Sequence, residues 1–130
     1  IGMVNWTPDS WVGNLFRAIG RHVPPPPGVQ PPVLWGSEER LRELFGPEVA
    51  ISAPRRTLLW RFPSPEHQVA FFGSFYGPTV KALEVLGPER APALRADMLE
   101  LANRFNAADD DTLVLRIDYL DVVARKPAGR

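Results

Sequence analysis

Few residues in this chain could do chemistry, and they do not form a recognised catalytic set. His22 and His67 are its two histidines, and each is a general base by type near neutral pH. No metal-ligand spacing links them, and His67 follows the helix-capping Ser64 by three residues, which favours a local structural role. Asp109-Asp110-Asp111 lacks the glycine and the terminal glutamate of a calcium loop and reads as a solvated turn. Arg55-Arg56 reads as a charged strand edge that discourages pairing. There is no Gly-x-Ser-x-Gly, no His-Glu-x-x-His and no P-loop, so hydrolase, zincin and NTPase readings have no support. What remains is a binding surface. Asn5-Trp6-Thr7 forms a polar, aromatic turn where a strand runs into a helix, and in open α/β sheets the ligand crevice lies at such strand ends. Trp11 follows that turn in the next helix and Trp35 ends the proline-rich arm, and Phe72, Phe75 and Tyr76 make an aromatic stripe at helical spacing. Trp11, Phe72 and Tyr76 are also good core residues, and Trp6 could pack on the proline arm instead of a ligand.

The bulk composition sets the class. The chain has 130 residues, enough for one domain, with 45% hydrophobic and 23% charged residues, as in a globular protein. Fifteen basic and fifteen acidic residues cancel, so no global field favours nucleic acid or an anionic membrane. The absence of cysteine excludes disulfides and thiolate metal sites and is compatible with a reducing cytoplasm. No apolar run approaches the ~18 residues of a membrane span, and no signal-peptide pattern is present. The chain opens on Ile1, inside a strand-like run, which reads as a fragment lacking its N-terminal part.

The elements that must position these residues follow in order. Ile1–Val4 reads as a strand buried on both faces. Thr7 reads as the N-cap of a helix with Pro8 at its first position; Trp11, Val12, Leu15, Phe16 and Ile19 share its apolar face, with Asn14, Arg17 and Ala18 opposite. Pro24 to Pro27, then Gly28, Pro31 and Pro32, favour an extended polyproline arm. Ser37 caps a short helix carrying Leu41, Leu44 and Phe45, stopped by Gly46-Pro47. Val49–Phe62 is strand-like, with Pro54 marking a bulge or a late start of pairing. Ser64 caps a helix, Gly77-Pro78 and Gly87-Pro88 interrupt further helices, and the last is the longest, with Leu94, Met98, Leu101 and Phe105 inward. Thr112–Ile117 and Tyr119–Arg125 are β-rich, joined or bent near Asp118. Lys126–Arg130 reads as a disordered tail. Strands from both ends and the middle with helices between them give an α/β fold.

The run Asn5-Trp6-Thr7-Pro8-Asp9, the helix to Arg21, the Val23-Pro24-Pro25-Pro26 arm and the helix start Leu34-Trp35-Gly36-Ser37-Glu38-Glu39 resemble the class I S-adenosylmethionine-dependent methyltransferases, above all the branch of ubiquinone and menaquinone biosynthesis. Tyr119-Leu120-Asp121-Val122-Val123-Ala124 resembles that fold's last, antiparallel strand. The resemblance implies that 1–125 is the C-terminal half of a Rossmann-like methyltransferase domain. Residues 1–62 would hold strands five and six, 63–107 a helical cap insertion, and 112–125 strand seven. It implies a small-molecule acceptor bordered by Asn5, Trp6, Thr7, Trp11, Trp35, Phe72 and Tyr76. It also implies that S-adenosylmethionine is held mainly by an N-terminal half that these residues do not include. No Gly-x-Gly-x-Gly occurs here, so no cofactor residue is carried over, and the catalytic residues stay unassigned. A severed sheet would leave an open strand edge that invites dimerisation. Two rival readings are a stand-alone small-ligand-binding module with an aromatic pocket, and an adaptor displaying the proline run.

Overall fold

A computed structural model describes residues 1–127. It is a mixed α/β fold built on an open four-stranded antiparallel sheet. The central strand is the last, β4 (Leu113–Arg125), flanked on one side by β1 (Gly2–Trp6) and on the other by β2 (Ala50–Ser52) and β3 (Arg55–Phe62). The helices are α1 (Trp11–His22), α2 (Glu38–Phe45), α3 (Pro65–Phe75) and α4 (Gly77–Phe105), with a 3-10 turn at Pro32–Gly36 before α2. The expected tail begins with Lys126 and Pro127 in no regular structure; its remainder, 128–130, lies outside the described residues.

The hydrophobic pattern of β4 explains the layering. Leu113, Leu115 and Ile117 are fully buried and pack against α1, α3 and α4. The burial then changes phase: Leu120, Val122 and Ala124 are the buried residues of the second half, and Leu120 and Val122 pack with Leu41 of α2. Alternate strand residues point to opposite faces, so one strand serves two cores. The sequence suggested a join or bend at Asp118. The structure instead keeps one continuous strand and changes the covered face there.

Pro54 acts similarly. Ser52 stands opposite Val123 and Arg55 opposite Leu120, so both strands advance by the same number of residues and there is no bulge. Proline lacks the N–H for the ladder, yet its carbonyl still accepts from the Asp121 N–H at 3.0 Å. Pairing pauses without slipping.

Several local readings are corrected. β1 is not buried on both faces: Ile1 is 74% and Val4 64% exposed. The N-cap of α1 is Ser10, not Thr7; the Ser10 hydroxyl accepts from the Gly13 N–H. Thr7 is held as an extension of β1, its N–H donating to the Asp118 carbonyl at 3.1 Å. Ala18 is buried, because α1 packs on both the sheet and α4. Leu44 and Phe75 are largely exposed, at the margins of their helical faces. α4 is two helices joined at Gly87, whose φ of 67° suits glycine; Leu94, Met98 and Leu101 are buried in its second part.

The Ser64 cap was legible. Its hydroxyl accepts from the His67 N–H at 3.1 Å and Pro65 fills the first helical position. Ser64→Ala is expected to lower stability by about 1 kcal/mol, read as an earlier urea midpoint with unchanged slope.

Candidate functional site: an aromatic groove beside the ends of β1 and β3

A groove between β3 and α3 is lined by seven aromatic residues, Trp6 among them. Its volume is about 490 Å³. Ser64 and Pro65 set the start of α3, and helical periodicity then places Phe71, Phe72, Phe75 and Tyr76 in two rows. Phe72 and Tyr76 form the inner row, 4.6 Å between ring centroids; Phe71 and Phe75 form the outer row at 5.0 Å. The opposite wall comes from Trp60 and Phe62, which share the inward face of β3, while the groove borders the strand itself at Leu59 and Arg61. Trp60 sits edge-to-face on Trp6 at 5.6 Å and on Trp11 at 6.0 Å, while Trp11 meets Phe72 at 5.3 Å. These T-shaped pairs set the electropositive ring edge of one residue against the π-face of the next. The groove walls are therefore buttressed from behind by a core residue.

The expected site residues separate. Trp6, Phe72 and Tyr76 line the groove together. Trp11 lies behind it, fully buried, with its indole N–H unpartnered. Asn5 is opposite Leu120, on the α2 side of the sheet, with a buried and unpartnered Nδ2. Adjacent strand residues face opposite ways, so Asn5 and Trp6 cannot share one groove. Thr7 is buried and bound to Asp118. Trp35 stands apart, edge-on to Phe45 at 6.5 Å. The sequence reading missed Leu59, Trp60, Arg61, Phe62 and Phe71. The available signal was the i, i+2 pair Trp60 and Phe62, on one strand face just before the aromatic helix.

The groove has the chemistry of a binding surface. Burial pushes the Tyr76 hydroxyl above its ordinary range, so it stays a protonated donor at neutral pH. No group of three or more potential metal ligands occurs among the described residues. The aromatic lining offers apolar surface to a flat body, with Phe71 and Phe75 at its solvent-facing margin.

The charged clusters lie elsewhere and brace the scaffold. Arg55 is not a bare edge charge: it joins Asp9 at 2.8 Å and Asp118 at 2.9 Å, tying the turn after β1 to both β3 and β4. Arg56 pairs with Asp121 at 2.9 Å. The Arg55 guanidinium holds the Asp9 carboxyl below its usual range. His22 Nε2 lies 2.7 Å from Asp97 Oδ2, joining the end of α1 to α4, and with Arg21 it lowers the Asp97 carboxyl. A carboxyl depressed in the folded state stabilises the fold above its unfolded pKa, and that contribution is lost as pH falls through the folded value. Asp97→Asn should therefore flatten the acid limb of the stability profile below about pH 4, measured by urea melts across that range. The Asp110 carboxylate accepts from the Thr112 N–H at 2.9 Å, so the triple-aspartate run is a turn.

The proline arm is not one rod. A turn closes it, Val29 N–H to the Pro26 carbonyl at 3.2 Å, with Gly28 at φ 82°. It folds back over Phe16, Ile19 and Val23, leaving a second, aliphatic cavity of about 380 Å³.

Fold and groove together define an α/β domain with an aromatic-walled cleft against its sheet. No established family profile matches the chain. An uncharacterized protein of Mycobacterium tuberculosis is 33% identical over 131 residues, covering 97% of this chain and 46% of that protein. A second uncharacterized M. tuberculosis protein is 29% identical over the same span and shares, and Mycobacterium bovis has an uncharacterized protein at the 33% level too. The chain thus spans about half the length of the curated relatives it matches. No helix among the described residues is long and apolar enough to cross a membrane.

Proposed function

We propose that these residues are the acceptor-side part of a class I methyltransferase domain, which transfers a methyl group from S-adenosylmethionine to a small molecule seated in the aromatic groove. The observation carrying this reading is topological. β1 and β3 each pair antiparallel with β4, so they run parallel to one another on either side of a reversed last strand. The resemblance asks for that arrangement of strands five, six and seven. The groove takes Trp6 from the end of β1 and Phe62 from the end of β3, the carboxyl ends where α/β sheets bind ligands. α3 and α4 follow β3 and precede β4 in sequence, where this reading has its inserted helices, and they pack directly on the sheet.

The residues present do not fit the cofactor. The carboxylates nearest the end of β1, Asp9 and Asp118, are both engaged by Arg55, and no glycine-rich loop is available to approach a ligand by its backbone. The reading therefore assigns cofactor binding to polypeptide outside these residues, and gives this chain the tasks of orienting the acceptor and excluding water. The exposed outer edge of β1, with Ile1 and Val4, is the natural place for that polypeptide, or else for a second copy. The lack of cysteine accords with a cytoplasmic enzyme.

Extending the reading frame upstream tests the proposal: a glycine-rich loop after a first strand is expected within roughly one domain length, and its absence would end the enzyme reading. One observation favours the rival binding module, namely that this chain alone supplies the groove's walls. That reading predicts ligand binding with no role for S-adenosylmethionine.

A further inference from the structure

We propose that the outer edge of β3 takes up an extended acidic peptide as a fifth strand of the sheet, with alternate peptide side chains in the mouth of the aromatic groove. The inference goes beyond the methyltransferase reading and does not rest on it. Among the described residues β3 pairs with β4 alone, so its other edge is open. The ladder fixes which groups that edge offers. The Asp121 N–H donates to the Pro54 carbonyl at 3.0 Å, and Arg55 stands opposite Leu120 in the same register. Bonded and non-bonded pairs alternate along an antiparallel ladder. Leu58, Trp60 and Phe62 therefore bond to β4, while Thr57, Leu59 and Arg61 turn their N–H and C=O groups outward. An extended peptide supplies the matching donors and acceptors. The groove borders the strand at Leu59 and Arg61, where those groups stand.

The two faces of the sheet specify the peptide's side chains. On the inner face an added strand meets Trp60 and Phe62, with the exposed Phe71 and Phe75 of α3 across the groove. Apolar residues suit those positions. On the outer face Arg61 stands opposite Val114, and Arg116 opposite Leu59. Both arginines are exposed, and neither pairs with a carboxylate among the described residues. The arginines at the start of β3 are already engaged, Arg55 with Asp9 and Asp118 and Arg56 with Asp121. Directly opposed residues on neighbouring strands have Cβ atoms about 5 Å apart, so a carboxylate opposite Arg61 supplies the missing charge. The occupant therefore alternates apolar and acidic residues. A second copy suits the edge less well, because its β3 brings the same arginines, and like charges across a ladder destabilise it.

The test is titration of this chain with the capped peptide Ser-Glu-Val-Glu-Phe-Glu-Ser, and with its neutral counterpart in which glutamine replaces glutamate, read by calorimetry and by amide hydrogen exchange in NMR spectra. The acidic peptide is expected to bind about fivefold more tightly, with an advantage that shrinks as salt is added. Exchange at the Leu59 and Arg61 amides should slow on binding, while Leu58 and Trp60, already bonded to β4, change little. Arg61→Gln, its fold verified by circular dichroism, should remove most of the preference and leave binding of the neutral peptide unchanged. Equal affinity for the two peptides, or a preference undiminished in Arg61→Gln, overturns the acidic occupant. Binding without protection of Leu59 and Arg61 overturns strand addition, as does failure of both peptides to bind. Concentration-dependent protection of those amides in the free protein, with a dimer in sedimentation, makes a second copy the occupant and overturns the proposal too. S-adenosylmethionine is absent throughout, so none of these failures is a failure of the methyltransferase reading.

Discussion

Gly36→Ala should cost on the order of 3 kcal/mol or more, the range of severe overpacking, a large share of the ~5–15 kcal/mol that holds a domain folded. The residue ends the 3-10 turn before α2 and lies against the end of β1. A methyl group there would sit 1.8 Å from the Trp6 carbonyl oxygen and 2.8 Å from the Thr7 Cα. Both obstacles are backbone, and that backbone is pinned: Trp6 pairs with Tyr119, and the Thr7 N–H donates to the Asp118 carbonyl. Relief requires either breaking that pairing or lifting the turn off the sheet. Either movement displaces Trp6, so surviving folded protein should also lose that residue from the groove's lining. Gly20→Ala is the control. It lies in α1 with nothing within 4 Å of an added Cβ, and should stabilise by about 0.5–1 kcal/mol through helix propensity. Thermal and urea melts of the two variants should diverge in opposite directions from the parent.

Trp11→Ala is expected to cost about 3–5 kcal/mol, the usual range for emptying a large aromatic site in a core. Trp11 is fully buried and touches the groove from behind through Trp60 and Phe72. Its indole N–H makes no hydrogen bond, so Trp11→Phe forfeits volume only and should cost about half as much or less. If Trp11→Ala shifted the urea midpoint by an amount equivalent to less than about 1 kcal/mol, the aromatic cluster would not be the structural core described above. Loss of the buttress should also weaken aromatic ligand binding, even though Trp11 does not line the groove.

Much of the scaffold could be read from residue order. Ser37 and Ser64 announced their helices, Gly46 and Gly87 announced the breaks, and the Leu94-Met98-Leu101 spacing gave the inward face of the last helix. What was not legible depended on tertiary partners. The phase change in β4 looks like a bend until α2 is seen covering the second face through Leu41. Thr7 was the expected cap of α1, and the role falls to Ser10 because the Asp118 carbonyl claims the Thr7 N–H. At the site, proximity in sequence misled. Asn5, Trp6 and Thr7 are consecutive, yet alternation sends only Trp6 to the groove. Trp60 and Phe62 lie far from Trp6 in sequence and reach it only through the shared strand β4. Helical spacing, by contrast, kept Phe72 and Tyr76 together as expected.

The most direct measurement is calorimetric titration of S-adenosylmethionine into two proteins: this chain, and the same chain extended upstream to include one further domain length. The account predicts no heat of binding for residues 1–130 alone and saturable one-to-one binding for the extended protein. Saturable binding by the short chain, or none by the extended one, would contradict it.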